Sequence, residues 1–492
     1  MGVIQRQTIK GSLVNFFGVF LGAISTLFIY PLNWELYGTI QYWIATAVLL
    51  TPILRQGSTS IINRFYPYFK SNNIKGFLGF VFIVTGITIT ATTIIIIIAS
   101  IVYSFINKSE INEIINNNSI FIYCLTILMI VNNILRLHSA NAKRITIPNI
   151  IKNNGLKVTI IVIVLLSYYN IVDQERAKSI LIIFNLLSVL ILFIYLKKLK
   201  FLDLSGFNKS SLDKSIKKEM FRYWYFGGLN YLGVILAYKI DTFMIGNMLE
   251  KQNVGYYSTF LFLCNMMIIP MTAINEISSP QISSYFNSNK IQKIDELYKK
   301  STQNLLTVGV LIFMLIWFNI RNITSIMTNG EELIPFINLI IFIGISKIFD
   351  LSTSINNLII VHSKWYRINL LFLLLMAIMN LSLNYVLISK YGILGAGIAT
   401  TISILIFNVI KSIFIYKKLK IQPFNKKSGY LYLITILVLI LGPVIENIKI
   451  INDWVSLIVI GSISSLIYLV AVYFLKISPQ LNELVDRKLI SK

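Results

Sequence analysis

Apolar residues in this chain form long unbroken runs, not the two- or 3.6-residue alternation of a soluble strand or helix. Stretches of about 20 residues recur along the whole length, enough for a helix to cross a ~30 Å hydrocarbon core. The short alternating segments of a transmembrane β-barrel do not occur in the sequence. The pattern predicts an all-α integral membrane protein with about 14 transmembrane helices. They lie near 11–31, 36–54, 77–105, 118–137, 157–171, 177–196, 223–247, 254–276, 303–320, 333–360, 367–389, 392–416, 430–447 and 454–475. Composition agrees: 56% of residues are hydrophobic and 13% charged, about half the charged fraction of a soluble domain. Arg6 and Lys10 lead into the first run without a small-residue cleavage site, so no removable signal is expected.

The polar positions then sort the loops. Arg55, Arg64, Lys70 and Lys75 follow span 2, and Arg136, Lys143, Arg144 and Lys152 follow span 4. Eight basic residues run from Lys197 to Arg222, and the loops after spans 8, 10 and 12 are also basic. The intervening loops are poor in Lys and Arg, or acidic as at Glu331 and Glu332. Such alternation predicts that both termini are cytoplasmic. It also accounts for the net charge of +24, which is spread over loops where it meets anionic lipid. With no soluble basic domain, a nucleic-acid partner is not expected.

The chain also repeats itself. YFKSNNIK at 68–75 returns as YFNSNKIQ at 285–292, identical at five of eight positions. NFFGV from Asn15 recurs as NYLGV from Asn230, IFN at 183–185 recurs at 406–408, and KKLK at 197–200 recurs at 417–420. The offset crosses six spans, an even number, so the copies enter the membrane in the same sense, as parallel repeats do. The expected organisation is an N-terminal six-helix lobe at 1–200, a cytoplasmic linker at 201–218 and a C-terminal six-helix lobe at 219–420. Two additional, peripheral helices and a cytoplasmic tail occupy 421–492.

Ionisable residues inside spans are costly and therefore informative. Span 7 carries Lys239 and Asp241, two residues apart and hence on different sides of a helix. Span 10 carries Lys347 and Asp350 at i, i+3 on one face, suited either to a cavity or to a structural pair. Glu276 lies in the cytoplasmic third of span 8. Arg55, Arg64 and Arg136 sit at cytoplasmic span ends, where they either orient the chain or receive an anion. The repeat partners of Lys239 and Asp241 fall near Ala23–Thr26 and are uncharged, so the charge belongs to the second copy. His138 and His362 both precede a serine at a helix end and read as boundary residues; neither has a second ligand at metal-binding spacing. Cys124 and Cys264 lie in apolar runs with neither disulfide nor metal spacing. No phosphate-binding Walker loop and no nucleophile–base pair exists, so the chain is not read as an enzyme.

Four stretches carry a family likeness. IKGSLVNFFGVFLGAISTLFIYP at 9–31, GSTSIINRFYPYF at 57–69, KIDTFMIGNMLEKQNVGYYS at 239–258 and YGILGAGIATTIS at 391–403 occur in order. Together they resemble the polysaccharide and O-antigen flippases of the multidrug/oligosaccharidyl-lipid/polysaccharide exporter superfamily. One departure is Thr242–Phe243, where many relatives carry an arginine after the aspartate. The resemblance implies two six-helix lobes around a central cavity. It also implies inward-to-outward translocation of undecaprenyl-pyrophosphate-linked oligosaccharide in the bacterial inner membrane, by alternating access coupled to H+ or Na+. No cofactor is expected, and the partners are the lipid-linked oligosaccharide, membrane lipids, a polysaccharide polymerase and glycosyltransferases. In this frame Arg55, Arg64, Arg136, Lys239 and Lys347 are candidate pyrophosphate contacts. Asp241, Asp350 and Glu276 are candidate coupling or cavity acids, and spans 13 and 14 are free to shelter the lipid tail. The alternatives are a drug/cation antiporter of the same superfamily, which calls for an acidic cavity, and a membrane-embedded glycan polymerase, which calls for a large periplasmic loop.

Overall fold

The computed structural model describes residues 14, 16–107, 117–204, 212–448, 450–478 and 482. Arg6 and Lys10, residues 205–211 of the expected linker, and residues 483–492 of the tail lie outside the described residues. The fold is 87% helix, with no strand among the described residues. In hydrocarbon every backbone N–H and C=O needs a protein partner, and apolar runs of this length supply it within themselves by closing as helices. Rows of large side chains such as Ile87, Ile94, Ile95 and Ile98 are more than half exposed, as a lipid-facing surface requires. The protein is a multi-pass membrane protein.

Among the described residues, ten helices are long and apolar enough to cross a membrane, or eleven if the bent pair Gly330–Phe336 and Leu339–Thr353 counts as one span. The expected fourteen differ because some neighbours run together. Spans 1 and 2 both lie in Phe16–Arg55, and spans 11 and 12 in Ile368–Leu419. Span 7 lies in the helix Lys214–Met248, which is not among the ten. Fifty-two residues of helix from Ile368 to Leu419 would extend roughly 78 Å, more than twice the hydrocarbon thickness. Gly392 breaks it at φ 59°, ψ −139°, and a Cβ on Gly395 would sit 2.0 Å from the Leu387 carbonyl oxygen. The chain thus folds back at the one residue type that adopts this backbone freely. Asn33 breaks the first long stretch at φ −148°, ψ 87°, and its side chain caps the next helix by accepting from Leu36 N at 2.9 Å.

By packing, the chain divides into residues 1–243 and 244–492. In the first unit α1 (Trp34–Arg55), α2 (Ser58–Ser71), α3 (Phe77–Asn107), α4 (Asn117–Asn141), α5 (Leu156–Tyr168) and α6 (Gln174–Lys198) precede α7 (Lys214–Met248), most of which belongs here. Its aromatic core joins Phe65 and Phe69 of α2 to Phe77 and Leu78 of α3, Ile134 of α4 and Met220 of α7. Buried hydroxyls are satisfied inside their own helices: Thr85 donates to Val81 O at 2.7 Å and Thr92 to Thr88 O at 2.7 Å. Asn132 donates to Ser188, linking α4 to α6 with a polar contact of the kind that holds helices together where lipid offers no hydrophobic drive.

The second unit continues with α8 (Lys251–Asn265), α9 (Ile269–Asn287), α10 (Ile291–Phe318), α11 (Leu339–Thr353), α12 (Asn356–His362), α13 (Ile368–Leu419), α14 (Lys426–Ile445) and α15 (Asp453–Phe474). The most enclosed is α10, whose span is 72% buried among α9, α11, α14 and α15. The stretch between spans 8 and 9 is helical almost throughout, because α9 runs on to Asn287 and α10 starts at Ile291. Ile291, Ile294 and Tyr298 form a helical apolar stripe, and Ile294 and Tyr298 are fully buried against Ile282, Ile355 and Ile359.

The duplicated strings fold alike, but one residue out of register. After Asn72 the chain turns at Asn73 (φ 53°), and Ile74 N donates to Phe69 O at 2.9 Å. After Ser288 it turns at Asn289 (φ 53°), and Lys290 N donates to Tyr285 O at 2.9 Å. Both are left-handed helix caps closed by a six-to-one hydrogen bond. Matching the letters pairs Asn72 with Asn289, whereas matching the turn pairs Asn73 with Asn289. The KKLK copies also end their helices in the left-handed region, at Lys200 (φ 53°) and Lys420 (φ 59°).

Candidate functional site

Arg55 ends α1, where a cation complements the helix dipole. The chain breaks immediately after it at Gln56, whose φ of 45° and ψ of −127° belong to a region that residues other than glycine rarely occupy. Ser58 Oγ donates to Arg55 O at 2.5 Å and Gln56 N to Pro52 O at 3.1 Å, holding the reversal. Gly57 lets α7 come close: a Cβ there would lie 1.7 Å from the Trp224 carbonyl oxygen. Gly227 and Gly228 complete the contact from the α7 side, since a Cβ on Gly227 would meet Ser60 Oγ at 2.2 Å. That approach brings Tyr231 under Arg55, with the guanidinium carbon 4.1 Å from the ring centroid.

Around this contact lies a cavity of about 460 Å³, lined by Arg55, Thr59, Ser60, Asn133, Arg136, Lys152, Asn230, Tyr231 and neighbouring apolar groups. Arg55 is 1% exposed, Arg136 is half-buried and Lys152 is exposed, so positive charge grades from the floor to the rim. Lys152 sits in the π-helical turn Ile150–Gly155, a wider winding that shifts side-chain register and recurs at functional positions. Arg136 donates from Nη2 to Asn133 Oδ1 at 2.9 Å. Arg55 Nε and Nη1 and Arg136 Nε are buried without a hydrogen-bond partner. No carboxylate lines the cavity among the described residues. Three cations, two of them with unused guanidinium donors, and no lining carboxylate among the described residues can receive a multiply charged oxyanion.

Of the candidates read from sequence, Arg55 and Arg136 meet in this cavity. Arg64 does not line it; the guanidinium pairs with Glu219 at 3.7 Å and lies 5.3 Å from the Tyr223 ring, largely exposed. Asp241 is buried and Lys239 half-buried on α7, and neither is among the cavity's lining residues. Sequence reasoning misses Lys152 and Tyr231 as site residues. Lys152 registers only as loop charge, and Tyr231 only as part of the repeated string NYLGV from Asn230. His138 is a core residue, its Nε2 3.1 Å from Phe201 O and its ring packed on Tyr66 and Phe201.

The second unit holds a separate polar network. Asp350 Oδ1 accepts from Asn408 Nδ2 at 2.8 Å, and Asn408 Oδ1 accepts from Thr353 Oγ1 and Asn356 Nδ2, each at 3.0 Å. Lys411, 1% exposed, donates to Asn357 Oδ1 at 3.0 Å and lies 4.0 Å from the Phe407 ring centroid. Lys347 is buried and lies within electrostatic reach of Asp350, yet forms no ion pair with it within 4.0 Å. The i, i+3 spacing on α11 thus places the two charges close without joining them, and the carboxylate turns to α13 instead. Glu276 is exposed on α9.

A model of the MatE family matches residues 228–386. The probable low-salt glycan biosynthesis flippase Agl15 of Haloferax volcanii is 23% identical over 222 residues, 41% of this chain and 44% of that protein. The chain therefore aligns with less than half the length of that curated relative. Among solved structures, lipid II flippase MurJ in an inward closed conformation matches with a TM-score of 0.62 at 15% identity, covering 96% of this chain and all of the other. An inward-facing multidrug resistance MATE family transporter of the MOP superfamily matches with a TM-score of 0.60 at 13% identity, covering 82% and 94%. At these identities the likeness is one of fold, and each of these proteins is named as a flippase or transporter.

Proposed function

We propose that this chain, which carries the fold shared by MurJ and the MATE transporters, is a flippase for lipid-linked oligosaccharide. Its substrate is an undecaprenyl-pyrophosphate-linked repeat unit of a surface polysaccharide, such as O-antigen. It moves that unit across the bacterial inner membrane by alternating access, driven by H+ or Na+, with both termini cytoplasmic. The observation that carries this reading is the cavity with Arg55, Arg136 and Lys152, unused guanidinium donors and no lining carboxylate. A buried, unpaired guanidinium is costly, and a pyrophosphate supplies the missing charge and acceptors. A drug/cation antiporter requires the opposite sign, so the same cavity disfavours that reading. The flippase name of the Haloferax relative supports the glycan class. Lys239 and Lys347 remain further proposed contacts, Arg64 attracts the head group from outside the cavity, and Asp241, Asp350 and Glu276 are the proposed coupling acids. A polymerase and glycosyltransferases are the proposed pathway partners.

The test is deletion of the gene followed by mass spectrometry of membrane lipids. Accumulation of polyprenyl-pyrophosphate oligosaccharide, reversed by the wild-type gene and not by a chain lacking both Arg55 and Arg136, is the expected outcome. Unchanged intermediates together with heightened sensitivity to cationic drugs would establish the antiporter reading instead.

A further inference from the structure

A second cavity in the first unit, about 630 Å³, has no part in the cationic site. It is a mostly apolar groove. Phe80, Val84, Ile87 and Ala91 form one wall, spaced by three or four residues along a single face of α3 for roughly 16 Å. Met220, Phe221 and Trp224 of α7 form the other. Ile87 and Phe221 are 62% and 66% exposed, so the groove is open along one side.

The groove is a neighbour of the cationic cavity. Adjacent residues part between them: Arg55 lines the cavity and Gln56 the groove, Ser60 the cavity and Ile61 the groove. On α7, positions 217, 220 and 224 line the groove, while 227, 231 and 234 line the cavity. These positions continue one helical stripe at steps of three and four, so groove and cavity follow each other along the same helix face, about 15 Å from centre to centre. An oxyanion site followed by an open, mostly apolar trough is complementary to an amphiphile with a phosphorylated head and a long chain.

We propose that the groove between α3 and α7 holds the polyprenyl chain of the same molecule whose pyrophosphate occupies the cavity, an inference that rests on the function proposed above. This places the lipid tail in the first unit and not on the two helices at Lys426–Ile445 and Asp453–Phe474. It also sets a length requirement: the first part of the tail bridges from the Arg55 end to Ala91, and the remainder lies in bilayer. An ordinary phospholipid fits the groove but has no reason to extend from it into the cavity.

The test uses the full-length protein in nanodiscs and a polyprenyl phosphate carrying a diazirine on its chain, with cross-linked peptides mapped by mass spectrometry. The expected label falls on Phe80–Ala91 and Met220–Trp224, is competed by unmodified polyprenyl pyrophosphate, and resists excess phosphatidylglycerol. Ala91→Trp fills the groove from its exposed side and lowers that label about tenfold, equivalent to ~1.4 kcal/mol of lost chain binding. Ile87→Trp serves the same purpose if the first variant fails to fold. Label concentrated on residues 426–474, or groove label displaced equally by phosphatidylglycerol, overturns the proposal. The two readings fail separately. Groove labelling without accumulated intermediates in the deletion strain removes the flippase function and leaves the groove standing; accumulated intermediates with label elsewhere do the reverse.

Discussion

Gly57→Ala is the sharpest probe of the cavity, because it adds one methyl group where α2 begins against α7. The new Cβ would lie 1.7 Å from the Trp224 carbonyl oxygen, 2.5 Å from its carbon and 2.7 Å from its Cα. All three are backbone atoms, so no rotamer change relieves the clash. Reaching even 3.0 Å from the oxygen requires the two segments to part by about 1.3 Å. Overpacking by a methylene in a well-packed interior typically costs ~1–3 kcal/mol, and a backbone obstacle places this variant at the upper end. For a unit of this size that corresponds to a fall in melting temperature of roughly 6–12 °C. The parting also draws Tyr231 away from Arg55, so loss of stability and loss of transport should coincide. The assay is thermal unfolding of the detergent-purified protein followed by size exclusion, with Gly86→Ala as control. A methyl group on Gly86 would meet nothing within 4 Å, and alanine favours a helix, so that variant should melt at or above wild type. A Gly57→Ala protein that melts within about 1 °C of wild type would refute the close approach of α7, and the cavity geometry with it.

Gln56→Gly should stabilise the protein by ~1 kcal/mol in the same melt, because glycine removes backbone strain of ~1–3 kcal/mol at φ 45°, ψ −127° and gives back part of it in chain entropy; a lower melting temperature contradicts the strain. Arg55→Ala and Arg136→Ala should each weaken binding of polyprenyl pyrophosphate by roughly 10- to 150-fold, the worth of one charge-assisted hydrogen bond, while Arg64→Ala stays within about twofold; isothermal titration in nanodiscs decides between them. Asn408→Leu should lower stability by ~2–4 kcal/mol, because Asp350, Thr353 and Asn356 each lose a hydrogen bond at once, and Thr353→Val should cost less than half of that in parallel melts.

Much of this architecture is written locally. Apolar runs announce the helices, and the asparagines at 33, 425 and 452 that cap α1, α14 and α15 stand just before them. Charged residues inside the runs single out Lys347 and Asp350, which the structure shows buried and half-buried. Sequence is less informative at helix ends facing water. The stretch 276–302 loses its apolar run, and its amphipathic stripe at Ile291, Ile294 and Tyr298 keeps it helical beyond the span. Charge alone also does not separate Arg55 from Arg64, nine residues apart and both at the edge of a span. One turns inward against Tyr231 and the other pairs with Glu219.

The sequence by itself determined a multi-pass helical membrane protein and a duplication visible in strings that both fold as left-handed caps. Those outcomes follow from short-range physics: a helix in lipid satisfies its backbone within its own segment. Tertiary structure alone decided which side chains share a cavity. Lys152 and Tyr231 joined Arg55 because glycines at 57, 227 and 228 admit α7 to backbone contact, and Asp350 found Asn408 on a helix 58 residues away. Helix association in membranes depends on small-residue fit and interhelical hydrogen bonds, and neither leaves a periodic trace in the chain.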